Sequence, residues 1–420
     1  MVNIEILAAE AAPMPNKKRL AIFVAVLSVA LGFLAITTPV YAASSEKVLY
    51  AFQGGKQDGS EPLANLIFGS SGNLYGTTYT GGIYKDGTVL ELTPKNGQWT
   101  EKVLHIFQGK YGSQPTAGLV VDKDGNLYGT LSNGGPHNGG SVFELMPSNG
   151  EWSLKVLHAF IDNGKDGVGP KGGLVFDFSG NLYGTTAVGG AFGLGTVFEL
   201  LNDGEWTYKR LYSFNGKDGV SQPQAGLILD KAGNLYGTTY DSVFELMRSG
   251  GKWIEKRLHQ FKHNGYDGYE CLSSLTMDTN GNLYGTTALG GADSSCDNFA
   301  GCGTVFELTP NKNGTWAEKL LHSFHGKGDG YYPLAGLVSD SSGNLYGTTA
   351  GGGESNDGYG VVFELTPNDG KWTETVLYIF TGDADGGSPG AGLIFDSAGD
   401  LFGTTSGGGV GNGVVFEIAL

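Results

Sequence analysis

One hexapeptide limits what this chain can fold into. Gly-Asn-Leu-Tyr-Gly-Thr recurs with its asparagine at 73, 126, 181, 234, 282 and 344, and a degenerate copy, Gly-Asp-Leu-Phe-Gly-Thr, puts Asp400 in a seventh slot. The intervals are 53, 55, 53, 48, 62 and 56 residues. A repeat of this length is too long for short helical repeats and falls where the blades of a β-propeller lie.

Each unit reads as four strands, a to d. In the second copy strand a covers residues 117–122, an Asp-x-x-Gly turn runs from Asp122 to Gly125, strand b covers 126–130 and strand c 141–145. The aspartate suits a turn because its carboxylate can accept the turn's N–H groups, and glycine takes the left-handed conformation that the hairpin needs. Six fourth strands are headed by Trp99, Trp152, Trp206, Trp253, Trp316 and Trp372. β-Branched and aromatic residues punctuated by Gly and Asn are strand and turn signals, and no sustained helical period follows residue 43. The 73 glycines therefore signal tight turns, not disorder.

The two ends set the number of blades. Residues 47–52 form a lone strand d without its tryptophan, and residues 414–418 form a seventh strand c. One strand from the start and three from the end make one blade. The expected fold is all-β: a seven-bladed propeller of four antiparallel strands per blade, closed by the N-terminal strand. Residues 1–42 read as a signal peptide. Lys17, Lys18 and Arg19 precede an apolar run from residue 20 to 36 and a Val40-Tyr41-Ala42 cleavage pattern, with Met14 as the natural start. The expected domain is then 43–420, in a secreted, periplasmic or cell-surface monomer that is not inserted in the membrane after cleavage. A net charge of −16 argues against a nucleic-acid partner, whose phosphates call for a basic surface.

The Gly-Asn-Leu-Tyr-Gly-Thr-Thr, Gly-Thr-Val-Phe-Glu-Leu and Trp-x-Glu-Lys-x-Leu segments recur in that order over nearly all of residues 46–420. In them the chain resembles the GloVer tandem-repeat proteins, exported bacterial proteins with a choice of C-terminal anchors. The resemblance implies an exported propeller and brings no activity with it. The chain departs from that pattern in having no anchor segment after its last strand. A looser likeness to kelch repeats lies in the Gly-Gly pair after strand b and the Trp of strand d.

Residues present in every copy are read as structure. His105, His158, His259 and His322 share a strand-d position with Tyr50, Tyr212 and Tyr378, an interchange that suits half-buried packing. The repeated Glu of Phe-Glu-Leu (Glu144, Glu199, Glu245, Glu307, Glu364) reads as a hydrogen-bond or salt-bridge partner. Function is sought where copies differ, on the face that carries the d–a and b–c loops. Asp58, Asp166, Asp218, Asp267, Asp329 and Asp385 of the d–a loops would ring the channel mouth and make it negative, which leaves room for a bound Ca²⁺, although no EF-hand spacing exists and no cofactor is required.

The b–c connection of blade 4 shrinks to residues 240–242, beside the longest one, residues 288–303 of blade 5. A low wall next to a high one makes a groove over blades 4 to 6. Its expected ligand is a glycan or peptide, held by Tyr266, Tyr269, Phe299, Tyr331 and Tyr332 with Asp267, Glu270 and Asp297 as polar partners, since flat rings and hydrogen-bond acceptors suit such ligands. Cys296 and Cys302 are the expected disulfide in an exported protein, with Cys271 a competitor; a Cys₃His zinc set with His263 has no standard spacing. No catalytic motif is present, and the reading leans away from an enzyme. The alternatives are a lyase or glycoside-active propeller using His263 or His325 with nearby carboxylates, and a structural spacer at the cell surface.

Overall fold

Strands b and c are buried at nearly every position, as in Leu127–Leu131 and over residues 141–145, so both faces of each sheet need another sheet against them and a closed ring results. The computed structural model describes residues 44–217, 220–262, 264, 266–293, 296, 300–354 and 358–420. The leader expected at 1–42 lies outside them. Seven four-stranded antiparallel sheets form the blades. In blade 2 the strands are Val120–Val121, Leu127–Leu131, Ser141–Ser148 and Glu151–Ala159. Blade 7 joins Ile394–Phe395, Leu401–Thr405 and Val414–Ala419 to the N-terminal strand Ser45–Ala51. Ser45 pairs with Ala419 and Ala51 with Val414, which closes the ring. No helix among the described residues is long and apolar enough to cross a membrane.

Three repeated contacts hold each blade to the next. In six seams the phenylalanine that follows strand d packs edge-on against the strand-c phenylalanine of the next blade, with ring centroids 5.0 Å apart for Phe107 and Phe143 and 5.2 Å for Phe160 and Phe198; in the closing seam Phe52 packs with Leu90. Strand b must carry glycine opposite that ring: a Cβ on Gly129 would stand 2.7 Å from Phe143 Cζ. The first threonine of each Gly-Thr pair donates across the seam to a main-chain carbonyl of the next blade, as Thr185 does to Ala225 at 2.8 Å and Thr348 to Ala391 at 3.0 Å. All seven seams have this bond, including the closing one, where Thr404 donates to Pro62 at 3.1 Å.

The tryptophans work at the other end of the seam. Trp152 lies against Tyr75 and Trp206 against Tyr128 of the preceding blade, at 6.1 and 5.6 Å between ring centroids. Tyr128 is in turn fixed by Asp122 and Glu144, 3.0 and 2.8 Å from its hydroxyl. The same Asp–Tyr–Glu chain recurs in blades 3 to 6. The repeated Glu is thus a hydrogen-bond acceptor within the blade, and the Asp-x-x-Gly carboxylate also takes the N–H groups of Asp124 and Asn126.

A feature invisible in the repeat pattern is a bulge between strands c and d of every blade whose c–d pairing includes a His or Tyr, as between Val142 and Phe143 in blade 2. The extra residue on strand d is leucine (Leu49, Leu104, Leu157, Leu211, Leu258, Leu321, Leu377), which the bulge redirects towards the seam. Removing one latch is expected to be costly, because it strands a buried carbonyl. Thr185→Val should lower stability by about 1–3 kcal/mol in urea denaturation, whereas Ser148→Ala, at an exposed strand end, should stay within about 0.5 kcal/mol.

Candidate functional site

At each seam the His or Tyr of strand d sits half-buried, edge-on to the phenylalanine two residues on, in all seven blades. Packing therefore accounts for the ring. Its polar tip has a second partner that the repeat alone did not reveal: the d–a loop aspartate. His158 Nε2 lies 2.9 Å from Asp166, His322 Nε2 3.1 Å from Asp329, and the hydroxyls of Tyr50 and Tyr378 donate to Asp58 and Asp385 at 3.1 and 3.0 Å. His259 and Asp267 are 3.6 Å apart. Each aspartate also accepts main-chain N–H groups, such as those of Gln53 and Gly59 for Asp58.

Among the described residues a glutamate from strand d of the next blade opposes the loop aspartate in four seams, Glu101 with Asp58, Glu318 with Asp267, Glu374 with Asp329 and Glu46 with Asp385. Burial first, and the neighbouring aspartate second, push Glu101 and Glu46 up to about 7 and Glu374 up to about 8. One oxygen of each of these three is buried with no hydrogen-bond partner. Asp166 has the opposite fate: burial opposes its charge, but the contacts with His158, Tyr208 and the Gly167 N–H together hold it below the usual carboxylate value. Between blades 1 and 2 both acids are missing together. Tyr111 stands where the aspartate would be and Leu154 where the glutamate would be, and His105 is left with Nε2 unpartnered and its pKa lowered by burial. That joint loss is the sequence signal by which the pairing could have been found.

The axial channel differs from the expectation. Its cavity of about 420 Å³ is lined by the Ala-Gly-Leu segments of the blades, and no acidic side chain among the described residues lines it. Lys171 and Gln224, bonded at 3.2 Å, stand at its wall. The loop aspartates do not ring this mouth because their carboxylates turn outward to strand d. Asp218 lies outside the described residues.

Of the groove residues, Tyr266 is presented to solvent, with 73% of its surface exposed. Tyr269, Tyr331 and Tyr332 are half-buried. Tyr269 donates to the Ala300 carbonyl at 3.0 Å, and the Tyr331 and Tyr332 rings meet edge to face at 4.9 Å. Asp267 accepts the N–H groups of Lys262 and Gly268, and Tyr240 donates to Glu270. Glu270 and Tyr332 occupy the one left-handed position that every d–a segment uses, with φ of 59° and 58°. Asp297, Phe299 and His263 lie outside the described residues. His325 is exposed and bonded to Asp329.

The low wall is a two-residue connection between Thr239 and Ser242, which pair with each other. The high wall is closed by a Cys296–Cys302 disulfide, so two of the three thiols of a Cys₃His zinc set are consumed. Cys271 has a different role. In the other six blades the left-handed residue precedes a buried proline that packs on a glycine of the preceding b–c loop, as Pro333 does on Gly303. Blade 4 has Asp241 in place of that glycine, and Cys271 replaces the proline. Its N–H, which proline would lack, donates to the Tyr240 carbonyl at 3.1 Å. Burial raises the Cys271 thiol well above its ordinary value.

The acid pairs make stability depend on pH in a definite direction. The unfolded chain ionises these glutamates near 4.5 and the folded chain near 7 to 8. Between those values the unfolded state binds fewer protons, so stability is greatest at the acidic end and falls as pH rises. The thermal midpoint should drop between about pH 5 and about pH 8, and Glu101→Gln should shrink the drop; a midpoint that rises over that window would refute the assignment.

Comparison with solved structures supports the architecture. The chain is similar to the extracellular domain of a protein described as a one component system from B. thetaiotaomicron, with a TM-score of 0.52 at 10% identity. The match covers 87% of this chain and spans 40% of the length of that one. Two others are similar at lower scores. A protein described as a 6-phosphogluconolactonase from Bacteroides uniformis has a TM-score of 0.47 at 15% identity, covering 76% of this chain and 85% of that one. The PQQ-bound aldose sugar dehydrogenase from Streptomyces coelicolor has a TM-score of 0.44 at 13% identity, covering 91% and 100%. At such identities the likeness concerns the fold. Among curated proteins none matches the chain. The pattern of the Gloeobacter/Verrucomicrobia repeat, in contrast, matches residues 35–175, 153–299 and 295–420, and the chain belongs to that repeat family.

Proposed function

We propose that this protein is an exported, non-catalytic binding module that takes a glycan across its loop face, centred on Tyr266 between the low connection of blade 4 and the disulfide-closed loop of blade 5. The observation that carries this reading is the placement of exposed aromatic rings. Of the six exposed aromatic side chains among the described residues, Tyr84, Tyr111, Phe192, Tyr266 and Tyr359 belong to d–a or b–c loops; Phe178 alone lies in an a–b turn on the opposite face. Rings held on short loops of a rigid scaffold offer flat apolar area at little entropic cost, and sugar faces stack on such area. In this reading Asp267, Glu270, Tyr269, Tyr331 and Tyr332 would supply polar and ring contacts to the ligand beside Tyr266. An acid–base role for His325 competes with the bond it already makes to Asp329.

The loop aspartates place their oxygens on N–H donors, so the reading needs no calcium. A glycan-array screen should give hits that persist in a calcium chelator, that fall at least tenfold with Tyr266→Ala, and that survive Phe178→Ala. A blank array, or equal losses in the two variants, would sink the glycan reading; hits on a peptide library in its place would move it to a peptide.

A further inference from the structure

The seven seam crevices also differ at the residue directly after the packed phenylalanine. It is Gln53, Gln108, Ile161, Asn215, Lys262 and Thr381 in six of them, and His325 in the seventh. That seventh crevice therefore has two imidazoles around one carboxylate. His322 Nε2 and His325 Nδ1 each lie 3.1 Å from Asp329 Oδ2, and the three donor atoms lie within 4.8 Å of one another.

We infer that His322, His325 and Asp329 form a binding site for a divalent transition-metal ion of the Zn²⁺ class. Donors around a tetrahedral ion with bonds of about 2.0–2.1 Å stand about 3.3 Å apart. Two of the three edges are close to that value already, and the third closes by rotation of His325, whose side chain is 58% exposed. His322 and Asp329, at 16% and 13%, form the fixed floor. The carboxylate is held from behind, since Asp329 Oδ1 accepts the His325 N–H at 3.0 Å, and a pair of main-chain bonds between Gly326 and Gly330 pins the loop. Such outer contacts orient a ligand before the ion arrives.

Two imidazoles and one carboxylate suit zinc-like ions, whereas calcium and magnesium select all-oxygen sets. Three protein ligands leave the fourth position for water or a ligand. Glu374, across the seam, has a buried oxygen without a hydrogen-bond partner.

The test is a calorimetric titration of the untagged protein with Zn²⁺, repeated with Co²⁺ to record the visible bands of a tetrahedral ion. One ion per chain is expected. His325→Gln should weaken binding at least tenfold. So should His322→Tyr, which installs the residue that Tyr50, Tyr212 and Tyr378 supply in sister crevices and so keeps the fold. His158→Gln, in a crevice with a single imidazole, should leave affinity within about twofold. Absence of saturable binding, unchanged affinity in His325→Gln and His322→Tyr, or an equal loss in His158→Gln would each overturn the site. Because Tyr266 contributes nothing to it, the outcome is independent of any glycan binding.

Discussion

A blade of this protein is a thin sheet with apolar side chains on both faces, and only another blade of the same shape can cover them. Everything else in the ring follows from that need. The phenylalanine after strand d fills the space over the next blade's strand c, and the strand-b glycine exists because a Cβ there would occupy the same volume. The threonine latch then satisfies a carbonyl that the seam would otherwise bury without a donor. Of the Gly-Asn-Leu-Tyr-Gly-Thr-Thr segment, the tyrosine, the second glycine and the first threonine serve the seams, and the N-terminal strand is the piece that leaves no seam open.

The outer end of each seam follows different physics. The bulge sends leucine inward and leaves the next ring, His or Tyr, with its polar tip towards a loop carboxylate. Once that carboxylate is fixed, a glutamate from the next blade meets a negative neighbour in a poorly solvated place, and the cheapest response is to stay protonated. Between blades 1 and 2 the aspartate and the glutamate are both absent, whereas between blades 2 and 3 Asp166 stays and Tyr208 takes the glutamate's place. Conserving the arrangement in most seams while altering it in two, with Leu154 and Tyr208, leaves the seams chemically unequal although their packing is the same.

Irregularities of the repeat act in pairs of this kind. Asp241 replaces a glycine and Cys271 replaces the proline that would press on it. The shortened connection of blade 4 is thus matched by the loop that crosses it, and the cysteine is a packing residue with an N–H that its site uses. The disulfide-closed loop next to it is stitched down through Ala300, whose carbonyl takes both the Tyr269 hydroxyl and the Gly290 N–H. A stiff high wall beside a two-residue turn is a local shape that the ring's symmetry does not produce, and His325 is a single departure of the same sort one blade on.

The amino-acid sequence by itself determined the repeat, its four strands, the seven blades and the closure by one strand against three, because each of these rests on periodicity and on turn chemistry within one unit. It also determined that His and Tyr share a packing role, since their interchange at one position is local. What only the tertiary structure decided are contacts across seams. The pairing of His322 with Asp329 depends on the turn of a loop seven residues long, and the opposition of Asp329 to Glu374 depends on a neighbour some 45 residues away. The channel mouth shows the same limit: six loop aspartates can be counted in the sequence, but whether they face the axis or strand d depends on backbone direction, and those that are described turn to strand d because N–H donors await them there. Side-chain direction at a seam is set by two chains of packing at once, and a repeat pattern records only one of them.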